Sequence, residues 1–200
     1  RISTVVTAKH LSQTGRLAAT RAVIMLTDGQ NNDLLARSVP VALLDSLYRT
    51  KGQRFFAIGF MEGDTAELHA LTDAGGGAFY NAANPDQLDS IYALLAGQLV
   101  DQRVDTTFTT IPIRISPDTV RMPIDIILAI DLSMSMYREI DGTPRTRIAW
   151  AKIAALGFLD SLGPQDRVSV LGWTSSAYMS GRIYLSDTSN TDRFYQRWRP

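Results

Sequence analysis

The stretch Ile124-Asp-Ile-Ile-Leu-Ala-Ile-Asp-Leu-Ser-Met-Ser-Met136 decides the fold of this chain. It is continuously apolar from Ile126 to Ile130, which is typical of a strand in a parallel sheet covered on both faces. The strand then ends at Asp131, and Ser133 and Ser135 follow at alternate positions. Open α/β sheets bind ligands at the carboxyl ends of their strands, and carboxylate and hydroxyl oxygens suit hard divalent ions. The stretch therefore predicts a metal site.

A second apolar segment ends in the same way. Ala22-Val-Ile-Met-Leu-Thr-Asp-Gly29 is a strand pattern that stops at Asp28. If the two strands lie in one sheet, Asp28 and Asp131 reach the same edge, so Asp28 completes the predicted ligand set of Asp131, Ser133 and Ser135. Thr27 would point away from Asp28 on a strand, because side chains alternate between faces. We therefore expect Thr27 to belong to the core.

The two motifs together, Asp131-Leu-Ser133-Met-Ser135 and Leu26-Thr-Asp28-Gly29, resemble the metal-ion-dependent adhesion site of von Willebrand factor type A domains. The resemblance implies an α/β fold in three layers, a doubly wound, mostly parallel, Rossmann-like sheet with helices on both faces. It implies a divalent ion, Mg²⁺ with Mn²⁺ or Ca²⁺ as alternatives, held by Asp131, Ser133, Ser135 and Asp28. It also implies a protein partner whose Asp or Glu carboxylate completes the metal shell.

The order of the motifs differs from the family, in which the Asp-x-Ser-x-Ser strand comes first. Residues 1–99 resemble the carboxyl-terminal portion of such a domain, and residues 124–200 resemble its amino-terminal portion. Residues 100–123 are expected to be a linker with a candidate edge strand. The chain is either a circular permutant or a piece that straddles two tandem domains. We predict one composite domain, closed within one chain or by exchange of halves between chains.

Hydrophobic periodicity predicts an alternation of strands and helices, as a parallel sheet requires. The predicted helices cover 2–14, Val41–Tyr48, Thr65–Ala74, a segment that begins at Asn84-Pro85, and a segment from Thr143-Pro144 to Leu162. The predicted strands are Ala22–Leu26, Arg54–Gly59, Ala78–Tyr80, an edge strand from Thr107 to Ile115, Ile126–Ile130, and a hairpin of Arg167–Trp173 with Gly181–Leu185.

Composition excludes several classes of function. Lys and Arg number 20 and Asp and Glu number 20, so the formal net charge is zero and charge does not favour nucleic acid. No apolar run approaches the roughly 20 residues of a membrane span, so we expect no membrane insertion. The chain has no cysteine, which excludes disulfides and thiolate catalysis. The compartment stays open, with the extracellular side or the cell surface favoured.

The ligand set predicts recognition rather than turnover, because only two carboxylates among neutral hydroxyls neutralise a divalent ion less than a set with more carboxylates would. We therefore expect no enzyme. An alternative keeps the fold but assigns an intracellular assembly role beside an ATPase or chelatase. A further alternative makes Asp131 a nucleophile of phosphatase type, although Ser133 stands where such enzymes usually carry a second Asp. Asp131, Ser133 and Ser135 could also form a plain turn that bonds to backbone.

Overall fold

One six-stranded sheet organises the part of the chain that the structure, a computed structural model, describes: residues 2–29, 38–61, 65–100, 122–173 and 177–184. Within these ranges the helices are α1 (Ile2–Thr14), α2 (Ser38–Lys51), α3 (Thr65–Ala74), α4 (Pro85–Val100) and α5 (Arg147–Asp160). The strands are β1 (Thr20–Thr27), β2 (Arg54–Phe60), β3 (Phe79–Ala82), β4 (Ile124–Asp131), β5 (Arg167–Trp173) and β6 (Ala177–Tyr184). None of the described helices combines the length and the apolar character needed to cross a bilayer.

The two motif-bearing strands lie side by side at the centre of the sheet. The strand order is β3-β2-β1-β4-β5-β6, and all pairs are parallel except β5 with β6. β1 pairs with β4 from Thr20 opposite Ile124 to Leu26 opposite Ile130. The predicted fold class and the adjacency of these two strands are thus confirmed. The permuted order and the composite domain stay predictions.

Burial on both faces explains why β1 and β4 are apolar throughout. On one face Leu26, Leu128 and Ile130 pack with residues of α4 and α5, including Tyr92 and Phe158. On the other face, residues of β1 and β4 pack with α1, α2 and α3 in a second cluster. Burying one such side chain stabilises the folded state by about 1.5–3 kcal/mol. In a strand that is covered on both faces, every apolar residue therefore adds to stability. The core thus holds the carboxyl ends of both strands rigidly.

Most predicted elements are confirmed within a few residues, but the predicted start of α5 is wrong. The helix begins at Arg147, because Thr146 is its N-cap and accepts a hydrogen bond from the backbone N–H of Ala149. Thr143 accepts a hydrogen bond from the indole of Trp150 instead, at 3.3 Å. Segment 143–146 is therefore part of the loop between the 3₁₀ turn at Met134–Tyr137 and the helix. The predicted edge strand from Thr107 to Ile115 lies outside the described residues.

A partly buried ion cluster at the opposite, amino-terminal edge of the sheet joins the two portions of the chain. Asp125 on β4 accepts hydrogen bonds from Arg16 Nε at 3.0 Å and from Arg167 Nη2 at 2.6 Å. Burial alone would raise the pKa of Asp125, but the hydrogen bonds from Arg167 and Arg16 and the charge of Arg167 outweigh it. The pKa of Asp125 therefore lies below its ordinary value.

Asp125→Asn should lower the free energy of unfolding by about 3 kcal/mol at pH 7, because Arg16 and Arg167 lose the negative charge of Asp125. The folded-state pKa of Asp125 lies below the unfolded value, so its stabilisation is complete above about pH 4 and is lost as the pH falls through the folded-state pKa. Urea unfolding of both proteins from pH 7 to pH 2 measures this. A difference that stays constant down to pH 2 would contradict it.

Candidate metal site

The candidate site lies where β1 and β4 end together. Leu26 pairs with Ile130, so the next residues, Thr27 and Asp131, are neighbours in register at the carboxyl edge of the sheet. Asp28 follows β1 directly, and a 3₁₀ turn at Met134–Tyr137 follows β4. The register of two central strands therefore places both motifs at one point.

Hydrogen bonds join all four predicted ligand residues. The backbone N–H of Ser133 donates to Asp131 Oδ1 at 2.8 Å, and the Ser133 and Ser135 hydroxyl oxygens lie 2.9 Å apart. The Ser135 hydroxyl donates to Asp28 Oδ1 at 2.7 Å. The network thus runs from Asp131 through both serines to Asp28.

Burial gives the site a floor and a rim. Asp28 is 2% exposed and Asp131 is 6% exposed, whereas Ser133 and Ser135 are half-buried. The two carboxylates therefore lie at the floor, and the hydroxyls lie closer to solvent. Met134, between the serines, is 83% exposed, and Tyr137 on the same turn is 54% exposed. The rim of the site is thus partly apolar.

Thr27 belongs to the site, which corrects its expected place in the core. Its hydroxyl donates to Asp131 Oδ2 at 2.7 Å, and the residue is 7% exposed. The alternation along β1 does turn Thr27 away from Asp28, but the same alternation turns it toward Asp131, which stands next to it on β4. Thr27 therefore adds a third hydroxyl to the network. The role of Thr27 could have been predicted by aligning the two strand-ending motifs so that Asp131 lies opposite Thr27.

Arg147 is the second residue that sequence reasoning missed. Its Nη1 donates to Asp28 Oδ2 at 2.8 Å, and the two side chains are 11% and 0% exposed respectively. Arg147 is the first residue of α5, where the helix dipole disfavours a cation unless an anion lies nearby. In the sequence, an arginine this close to the start of a predicted helix was the signal for an acidic partner.

The donor chemistry of the site fits a hard divalent ion. The network contains carboxylate and hydroxyl oxygens, the ligand types that Mg²⁺ prefers in about sixfold coordination. Among the described residues no group of three or more His, Cys, Asp or Glu could hold a metal. The candidate site therefore depends on hydroxyl oxygens as much as on its two carboxylates.

Comparisons with known proteins agree with this fold. Residues 2–94 match the family model of the von Willebrand factor type A domain. A crystal structure of an uncharacterized protein from Alicyclobacillus acidocaldarius subsp. acidocaldarius DSM 446 superposes with a TM-score of 0.57 at 18% identity, over 86% of this chain and 84% of that one. Comparison with curated proteins gives no match. The chain therefore carries a von Willebrand factor type A match over residues 2–94, on a mostly parallel α/β sheet consistent with that family's fold.

Proposed function

We propose that the chain is a metal-dependent protein-binding module that captures a partner carboxylate through a divalent ion. Asp131, Ser133, Ser135 and Asp28 would hold the ion, which is Mg²⁺ in the first instance and Mn²⁺ or Ca²⁺ as alternatives. The observation that carries the proposal is the hydrogen-bonded network that joins these four residues across two neighbouring strands, with the backbone N–H of Ser133 as the link to Asp131. The family match supports the coarser part of the proposal, because type A domains are protein-interaction modules.

The charge of the ligand set explains why the site would bind and not react. A divalent ion held by these residues would offer a position for an outside carboxylate oxygen. Asp131 and Asp28 provide the negative charge that retains the ion. The neutral hydroxyls of Ser133 and Ser135 fill further ligand positions without adding negative charge. Thr27 holds Asp131 in place through its 2.7 Å hydrogen bond. A partner carboxylate would then complete the ligand shell of the ion.

The exposed rim indicates which carboxylates would bind best. Met134 lies exposed between Ser133 and Ser135, and Tyr137 is exposed on the same turn, so the turn that carries Ser135 also presents apolar surface to solvent. A partner that carries an apolar side chain beside its Asp or Glu would bury this surface as it binds. The preferred partner segment is therefore an acidic residue flanked by apolar residues.

Short peptides test the function and the rim together. With Mg²⁺ present, acetyl-Leu-Glu-Leu-amide should bind about fivefold more tightly than acetyl-Gly-Glu-Gly-amide, since burying a few methylene groups gives about 1 kcal/mol. Met134→Ala should reduce this preference and leave Mg²⁺ affinity unchanged, as measured by calorimetry.

The matched control is Leu17→Ala. Leu17 is 99% exposed but lies between α1 and β1, at the far edge of the sheet from the metal site, so its loss should leave the peptide preference as it was. An undiminished preference in Met134→Ala would refute the role of the rim. Absence of any peptide binding to the Mg²⁺-loaded chain would refute the capture of carboxylates.

A further inference from the structure

We propose that Arg147 sets the charge of the metal site, so that it weakens the binding of the divalent ion and strengthens the capture of a carboxylate by the loaded site. The inference rests on the proposed function and adds to it a residue outside the ligand set. Its basis is the buried ion pair between Arg147 and Asp28.

The ion pair uses only one of the two carboxylate oxygens of Asp28. Arg147 binds only Oδ2 of Asp28, at 2.8 Å, while Oδ1 accepts the hydroxyl of Ser135 at 2.7 Å. A bidentate pair, the strongest form for Arg and carboxylate, would occupy both oxygens. Within the part of the chain that the structure describes, the buried Nε of Arg147 has no hydrogen-bond partner. The ion pair is therefore weaker than a bidentate pair would be. Oδ1 of Asp28 stays in the hydrogen-bonded network with Ser135.

The charges of the buried groups determine what the site attracts. Asp28 and Asp131 with Arg147 carry a formal charge of minus one, which attracts a cation. A bound divalent ion would change this charge to plus one, and a carboxylate from a partner would neutralise it. Without Arg147 the loaded site would already be neutral. Because these groups are buried, water screens the charges less than it would at the surface.

The same pair explains how the site is held together before an ion binds. Asp28 is a fully buried carboxylate, and an unpaired charge in that position is costly. Arg147 supplies the counter-charge from the first turn of α5, and Thr146 fixes the start of that helix through its cap. The ion would therefore bind to a site whose acidic groups already have partners, and would compete with the charge of Arg147.

Arg147→Met provides the test, because it removes the charge and keeps an unbranched apolar side chain. Calorimetry with Mg²⁺ alone should give at least about tenfold tighter binding than the wild type, which corresponds to about 1.4 kcal/mol of relieved repulsion. The Mn²⁺-loaded variant should bind acetate at least about threefold more weakly, measured by water-proton relaxation as acetate displaces metal-bound water. A merely structural role would not shift the two affinities in opposite directions.

The matched control is Arg145→Met, which removes an exposed cation that stacks on Trp150, 5.1 Å from its ring centre. Both affinities should stay within twofold of the wild type. If Arg147→Met is unfolded in chelator, Mg²⁺ should restore its circular dichroism, because the ion then neutralises Asp28. Continued unfolding at saturating Mg²⁺, or unchanged or weaker Mg²⁺ binding by a folded variant, would overturn the inference. A wild-type chain that binds no Mg²⁺ would instead contradict the proposed function.

Discussion

Asp131→Ala is expected to abolish Mg²⁺ binding. Asp131 is one of only two carboxylates in the network, and its two oxygens accept from the backbone of Ser133 and the hydroxyl of Thr27. Its loss removes a charge that retains the ion and also the acceptor that positions two neighbours. Even loss of a group that only supports a metal ligand costs about 10- to 100-fold in affinity, so we expect a weakening beyond 100-fold. Calorimetry on the folded variant measures this.

Two further substitutions provide Mg²⁺ affinities for comparison with that of Asp131→Ala. Asp141→Ala removes an exposed carboxylate from the loop beyond the metal motif, so Mg²⁺ affinity should not change. Ser133→Ala should weaken binding less than Asp131→Ala, because a neutral ligand is lost and water can replace it. Equal Mg²⁺ affinities in Asp131→Ala and the wild type, with both proteins folded by circular dichroism, would contradict the assignment of the site.

Capture of an acidic peptide is expected to require the ion. Acetyl-Leu-Glu-Leu-amide should bind in Mg²⁺ and show no measurable binding in excess chelator, since Asp28 and Asp131 then leave the site with a formal negative charge that repels a carboxylate. Restored Mg²⁺ should restore binding. Fluorescence anisotropy of a labelled peptide measures both steps.

The glutamine analogue of that peptide is the matched control, because it has the same shape without the charge. It should bind at least about tenfold more weakly than the glutamate peptide in Mg²⁺. Equal binding of the glutamate peptide with and without chelator would show that the ion is not involved. Phosphate-ester hydrolysis that is lost in Asp131→Asn would favour the nucleophile alternative.

The sheet could be predicted from the sequence because each strand is marked by a pattern of neighbouring residues. The apolar runs of β1 and β4 end abruptly at Asp28 and Asp131, and strands buried on both faces need no alternation to be recognised. Parallel strands in one sheet bring their carboxyl ends to one edge, so the position of Asp28 and Asp131 at the same edge followed from the fold class. The hydroxyl contributions of Ser133 and Ser135 followed from their spacing.

The contacts of Thr27 and Arg147, which were not predicted from the sequence, depend on how separate elements are positioned against each other. Thr27 reaches Asp131 only because Leu26 stands opposite Ile130, and a shift of one residue would have turned it to the other face. Arg147 reaches Asp28 only because α5 begins after Thr146 and not at Thr143. Both Thr143-Pro144 and Thr146 are acceptable helix starts in sequence, and tertiary contacts decide between them.

The most direct test is a crystal structure of the intact chain soaked in Mn²⁺, with anomalous scattering used to locate the metal. We expect one anomalous peak within about 2.5 Å of the hydroxyl oxygens of Ser133 and Ser135, between Asp28 and Asp131. The same map would show whether both motifs come from one chain or from two. A well-ordered site with no peak between these residues, or a peak bound only at another place, would contradict the metal-dependent function.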